Sequence, residues 1–163
     1  MITIGIDPGI ERVGIGVVQY RDSRLKLLDS KLIKTSSKDS VGKRLQIIYD
    51  ELIEMLGSYT IAYASVEEIF FAKNVKTVIN VAQARGVILL ALEKSLIPVY
   101  EYTPLQVKQA LSGYGRADKG MMQRMLRMII GDEVAILQDD VADGIALAIT
   151  HINTNRIYEK IKG

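Results

Sequence analysis

Ile2-Thr3-Ile4-Gly5-Ile6-Asp7-Pro8-Gly9 opens the chain and decides how the rest is read. Apolar side chains alternate with Thr3 and Gly5, the period of a strand. Pro8-Gly9 then ends it, because proline has no ladder donor and glycine favours turns. Asp7 is thereby placed at the carboxyl end of a strand, where ligands gather in open α/β sheets. Residues 13–20 and 24–35 read as two further strands joined by the polar turn Arg21-Asp22-Ser23, so the opening is an antiparallel meander.

Beyond the meander the period changes. Val41, Leu45, Ile48, Leu52 and Leu56 recur at helical spacing with charges between them, an amphipathic helix. Residues 61–67 return to strand character and finish in Glu67 and Glu68, a second carboxylate at a strand end. A long helix over 74–96 is apolar on more than one side, and its small residues Ala82, Ala84 and Gly86 allow a close approach by another helix. A fifth strand follows at 97–102, then helices over 104–111, 119–130 and 140–153, with Pro104 suited to a first turn. The order β-β-β-α-β-α-β-α-α-α implies an α/β fold, a five-stranded mixed sheet with helices on its faces. No repeat or linker divides the chain, so residues 1–163 are read as a single domain.

Composition narrows the chemistry by exclusion. The 48% hydrophobic and 25% charged content is that of an ordinary globular protein. There is no cysteine, which removes disulfides and thiolate chemistry and agrees with a cytoplasmic location. The first apolar stretch stops at Asp7 with no basic lead-in, so no secretory leader is expected. No apolar run approaches the roughly 20 residues that span a bilayer, so no membrane partner is expected. A net charge of +2 says nothing about nucleic acid; only its distribution can.

Four acids carry the chemical argument. Asp7 and Glu67 each end a strand on the ligand side of the sheet and could share a site, and Asp140 and Asp143 stand three apart on one helix face, with Cβ atoms about 5–6 Å apart. Crowded carboxylates repel one another, and magnesium accepts such oxygen ligands while keeping waters and phosphate oxygens. Two such ions can activate water on one side of a phosphodiester and stabilise the leaving oxygen on the other. Each acid also has a plainer role. Asp7 can close an Asp-Pro-Gly turn, Asp139 or Asp140 can cap a helix, and Glu67 or Glu68 can be solvated. Asp139 and Asp143, four apart, share a face as well. His151 is read as a polar residue near a helix end and not as a ligand, and Met121, Met122, Met125 and Met128 as core packing.

Gly5-Ile6-Asp7-Pro8-Gly9, Val66-Glu67-Glu68-Ile69-Phe70 and Gln138-Asp139-Asp140-Val141-Ala142-Asp143 resemble the RuvC family of bacterial Holliday junction resolvases. So do Ala72-Lys73-Asn74, Gln83-Ala84-Arg85-Gly86, Glu101-Tyr102, Gln106-Val107-Lys108-Gln109 and Gly113-Tyr114-Gly115-Arg116-Ala117-Asp118-Lys119, in order over nearly the whole chain. The resemblance implies an RNase H-like fold and a homodimer. It implies magnesium-dependent nicking of two like-polarity strands of a four-way junction during recombination and repair, with two ions per site and manganese a possible substitute. It assigns the catalytic and metal roles to Asp7, Glu67, Asp140 and Asp143, leaving Asp139 as a neighbour. Lys108 and Lys119 match the family's active lysines, expected on scissile-region phosphates. Phe70 matches its junction-facing aromatic, expected to stack on an unpaired base, whereas Phe71 reads as core. Lys73, Lys76, Arg116 and Arg124 are expected to complete a basic face, although each suits a solvated surface equally. RuvA and RuvB branch-migration proteins are implied as partners, and the small-residue helix as the dimer surface.

Two other readings compete. An actin-like ATPase also begins with strand, aspartate and glycine, but needs a second similar domain that 163 residues do not supply. A junction-binding module without catalysis needs cations rather than four acids.

Overall fold

Alternation along the first strand sorts its residues between two faces of a sheet, and the two faces meet different partners. The structure is a computed structural model describing residues 1–68 and 75–162, with the backbone alone at 75–77 and 159–162. Strands β1 (Ile2–Asp7), β2 (Arg12–Arg21) and β3 (Arg24–Lys34) form the expected meander. Asp22 and Ser23 both take positive φ at the β2–β3 turn, the hand that suits the twist of a hairpin. β4 (Tyr63–Glu67) and β5 (Val99–Tyr102) complete a five-stranded sheet of order β3-β2-β1-β4-β5. β4 runs parallel to both β1 and β5, and the other pairings are antiparallel, so the sheet is mixed as expected.

On one face lie α1 (Val41–Gly57) and α2 (Val75–Lys94). Ile4, Ile6 and Val66 from the sheet pack there with Ile48, Leu52, Ile88 and Leu92, all fully buried. On the other face lies α5 (Asp139–Lys162), flanked by α3 (Pro104–Ser112) and α4 (Lys119–Ile129). Burying an Ile or Leu side chain contributes about 1.5–3 kcal/mol, so the two cores hold the sheet between them. α5 sits almost on the backbone of β1 and β2. A Cβ built on Gly5 would lie 2.0 Å from the Gly144 carbonyl oxygen, and one on Gly14 would lie 1.7 Å from that of Asp140.

Several expectations need correction. α5 does not end at residue 153 but runs to Lys162. Its centre, from Ile145 to Ile152, is buried all round, so no amphipathic period marks its extent. A 3-10 turn at Asp132–Ile136, unforeseen, joins α4 to α5. Met128 does not pack: it is 81% exposed, because Met122, Leu126 and Ile129 form the inward stripe of α4 and residue 128 falls off it. Strand β4 also starts two residues later than expected, as does β5. No helix among the described residues is long and apolar enough to cross a membrane.

Candidate active site

The register of the parallel pair places the first two acids. Ile6 pairs with Val66, so Asp7 and Glu67 follow side by side at the ends of β1 and β4, on strands about 4.8 Å apart. Both face α5. Gly5, two residues before Asp7, lies under Gly144, and the Ser65 hydroxyl, two before Glu67, donates to the Leu147 carbonyl at 2.8 Å. Residues two apart on a strand share a face. The first turns of α5 bring Asp140 and Asp143 to the same end, with the Asp140 backbone docked against Gly14, the residue that pairs with Asp7 across β1 and β2.

The acids feel one another. Asp7 is pushed up to about 8, first by burial and then by repulsion from Glu67, Asp143 and Asp140. Glu67 is raised by burial and by Asp143, while its hydrogen bond with Asp7 works the other way. Both carboxyls of the pair are thereby held above the ordinary carboxylate range. Asp143 keeps part of its side chain in water, yet loss of solvent around the carboxyl and then the charge of Asp139 hold it at about 6. Among the described residues no three carboxylates or histidines stand ready to enclose one ion unaided. Magnesium does not require such a cage, since it is usually held by one or two carboxylates, waters and substrate phosphates.

Cations border the cluster on three sides. Arg12, at the start of β2, lies 3.6 Å from Asp140. Lys119, first residue of α4, donates to Asp139, and Gln123 one turn on donates to the same carboxylate at 3.3 Å. That contact, ahead of the more distant acids, raises the Lys119 ammonium above its ordinary value. Asp118 caps α4 by accepting from the Met121 amide at 2.7 Å, which fixes where Lys119 leaves the backbone. Arg85 of α2 donates to the Glu67 carbonyl at 3.3 Å and pairs with Glu101 at 2.6 Å. A cleft of about 290 Å³ joins Glu67, Asp143, Lys108 and Lys119 over an apolar floor of Val107, Met122 and Leu147.

The structure thus brings six of the expected residues to one end of the sheet: Asp7, Glu67, Asp140, Asp143, Lys108 and Lys119. Arg116 is exposed on the loop before α4 and is not in the cleft, and Arg124 lines a separate hollow with Arg127 and Val134. Phe70, Phe71 and Lys73, together with the Lys76 side chain, lie outside the described residues. Arg12 and Arg85 were not foreseen. Their partners are far away in sequence, and only the running string Gln83-Ala84-Arg85-Gly86 hinted at the second.

His151 stands apart from the acids. It is fully buried, its Nδ1 lies 2.9 Å from the Tyr102 hydroxyl, and its Nε2 has no partner among the described residues. Mid-helix, it is therefore not the satisfied residue near a helix end that the sequence suggested. Burial lowers it to about 4 from its ordinary 6.5. The unfolded chain then binds a proton that the folded one refuses, so stability is lost as pH falls from 6.5 towards 4, by on the order of 3 kcal/mol in all. The acid cluster acts in the opposite sense, since its raised carboxylates favour folding at low pH. Urea unfolding at pH 7 and pH 5 should therefore show a larger acid-side loss for the native chain than for His151→Gln. Equal pH slopes would contradict the assignment.

Comparison with known proteins bears on the family and the fold. A family model described as crossover junction endodeoxyribonuclease RuvC matches residues 3–151. The crossover junction endodeoxyribonuclease RuvC of Roseiflexus sp. (strain RS-1) is 51% identical over 160 residues, covering 98% of this chain and 95% of the relative. That of Clostridioides difficile (strain 630) is 44% identical over 162 residues, covering 99% and 96%. A structure of T. thermophilus RuvC in complex with a Holliday junction substrate superposes with a TM-score of 0.92 at 36% identity, over 97% of this chain and 96% of that one. With this fold and this coverage, the chain belongs to the RuvC family of crossover junction endodeoxyribonucleases.

Proposed function

We propose that this protein resolves Holliday junctions by metal-dependent hydrolysis of phosphodiesters, nicking two strands of like polarity during recombination and repair. The observation that carries the reading is the convergence of Asp7 and Glu67 at adjacent strand ends with the first turns of α5. That convergence drives Asp7 up to about 8. Such crowding of hard oxygen donors suits magnesium or manganese, and Asp7, Glu67, Asp140 and Asp143 are the residues that would hold two ions. When bound, the ions supply an activated water and neutralise charge at the scissile phosphate.

The chain's own residues do the rest. Lys108 and Lys119, across the cleft from Glu67 and Asp143, bind and orient phosphate. Lys119 exchanges the Asp139 carboxylate for a phosphate oxygen as DNA enters, while Arg12 stays beside Asp140. Phe70 is proposed to contact the junction on the strength of the family resemblance, with Lys73, Lys76 and Arg116 as a basic face around it, and RuvA and RuvB are proposed as partners by resemblance alone. Residues 1–163 act as one nuclease domain.

Two sites are needed for paired cuts, and a homodimer provides them. Ile79, Ala82, Gly86 and Leu90 form a stripe on the outward side of α2, with Ile79 and Leu90 each more than half exposed and open space around Gly86. Ala84 is buried and faces the core instead. Leu90→Glu is expected to convert the dimer to a monomer in light scattering, without unfolding it. A dimer of unchanged affinity would place the interface elsewhere.

The deciding experiment uses a synthetic four-way junction end-labelled on each strand in turn. With magnesium, nicks should appear at symmetric positions on two like-polarity strands and disappear on chelation. A folded protein that binds the junction and never cuts it would favour a binding module without catalysis, and tight ATP binding would favour the actin-like alternative.

A further inference from the structure

Arg85 is an unusual side chain for the middle of a helix that packs on a core. It lies on the flank of α2 next to fully buried Ala84 and is itself mostly buried, its side chain only 16% exposed. Its guanidinium is held at two points. Nη2 meets the Glu101 carboxylate of β5 at 2.6 Å, and Nε donates to the main-chain carbonyl of Glu67 at 3.3 Å. Glu67 is the last residue of β4, and Tyr102, beside Glu101, is its partner in the ladder. Past that pairing, among the described residues, the Glu68 amide donates to the Tyr102 carbonyl at 2.9 Å. Glu67 thus sits at the last described rung of the ladder, and Arg85 adds a side-chain restraint on its main chain there.

We infer that Arg85, anchored by Glu101, is a positioning residue for Glu67: it fixes the main chain from which that carboxylate is aimed at the metal and DNA. The inference rests on the nuclease reading above and deepens it. Two features of the chemistry make arginine fit. Its planar fork offers donors in different directions at once, so one side chain can grip a carbonyl and a carboxylate together, which a lysine ammonium does with less directional control. Glu101 also neutralises a buried cation and restricts its rotamers, so the guanidinium arrives already oriented. Partners of this kind, which touch neither ion nor substrate, commonly change metal affinity or activity by about 10–100-fold when removed.

The test compares native protein, Arg85→Met, Glu101→Gln and the double variant as full-length chains. Three readouts are taken: single-turnover nicking of a four-way junction, junction affinity in chelator, and the magnesium concentration that half-saturates the thermal shift of the protein alone. Arg85→Met should lower the maximal rate by about 10–100-fold and raise the magnesium midpoint, with junction affinity in chelator within about twofold of native. Glu101→Gln should move the same two quantities in the same direction, and the double variant should be no worse than Arg85→Met, because both changes break one unit.

Native rate and native magnesium midpoint in Arg85→Met would overturn the inference. So would a loss that falls wholly on junction affinity, or additive effects in the double variant. Should Arg85→Met fail to fold, Glu101→Gln, changed at a half-exposed strand position, decides by the same criteria. If the native protein cuts no junction, the nuclease reading falls, whereas the magnesium midpoints still report on Arg85.

Discussion

Asp7→Asn is expected to make the metal-free protein more stable while destroying its ability to cut. Asp7 stands at about 8 because burial and three neighbouring acids penalise its charge. A carboxylate raised in the folded state contributes stability below its ordinary pKa and loses it as pH rises through the folded value. At pH 8 in chelator the charge on Asp7 therefore strains the native cluster. An uncharged amide of the same shape removes the central charge. Each pKa unit corresponds to about 1.4 kcal/mol, and after allowing for sharing of the penalty among the acids a gain of about 2 kcal/mol is expected. For a chain of this length that is roughly 4–8 °C in Tm. The advantage should shrink at pH 5, where Asp7 is protonated in the native protein as well. It should shrink again when magnesium is added, since the ions stabilise only the native cluster. Cleavage should fall by at least about 10³-fold, the scale on which a member of a catalytic unit is felt. Junction binding should hold or tighten as repulsion of phosphate falls. Lower stability of Asp7→Asn in chelator at pH 8, or nicking within tenfold of native, would count against the shared site.

The second large effect is expected from a single methyl group. At Gly14, a Cβ would sit 1.7 Å from the Asp140 carbonyl oxygen, 2.1 Å from its carbon and 2.7 Å from the Val141 nitrogen. All three are backbone atoms of the first turn of α5, so no side chain can rotate away. Gly14→Ala must lift the start of α5 from β2 or bend the strand that pairs with Asp7. Overpacking a close-packed interior typically costs about 1–3 kcal/mol even where side chains can yield, so a loss of about 3 kcal/mol or more is expected here. Asp140 and Asp143 would be displaced with the helix, and nicking should suffer beyond what stability explains. Gly42→Ala serves as the control, because Gly42 lies in α1 with open space around its Cβ position. It should be neutral or stabilising by up to about 1 kcal/mol. Urea unfolding of the two variants checks the contrast, and equal stabilities would contradict the close docking of α5.

Much of this arrangement could be read from the chain because strand ends and turns are local signals. Alternation followed by Pro8-Gly9 placed Asp7, and the same logic placed Glu67. The sheet register then set the two side by side, which periodicity alone does not establish. The ambiguity between Asp139 and Asp140 could not be resolved locally, since either shares a face with Asp143. In the fold they part: Asp139 turns to Lys119 and Gln123, whereas Asp140 faces Arg12 and adds to the repulsion on Asp7. Arg12 and Arg85 were hidden for a plain reason. Arg12 meets a partner more than a hundred residues on, and Arg85 links three elements that only the folded sheet brings together. α5 was underestimated because a helix buried all round carries no polar stripe to mark its length. Met128 erred the other way, an apolar residue at plausible spacing that the stripe of Leu126 leaves outside.

The central claim is that the acids act as one site rather than as separate caps, turns and surface charges. Single-turnover nicking of a four-way junction in saturating magnesium tests it most directly, using Asp7→Asn, Asp143→Asn and the variant carrying both. A single site predicts that each change alone removes nearly all activity and that the pair is no worse than either, with all three proteins folded and binding the junction. Modest single losses that multiply in the double variant would show the two aspartates working independently and would contradict the shared site.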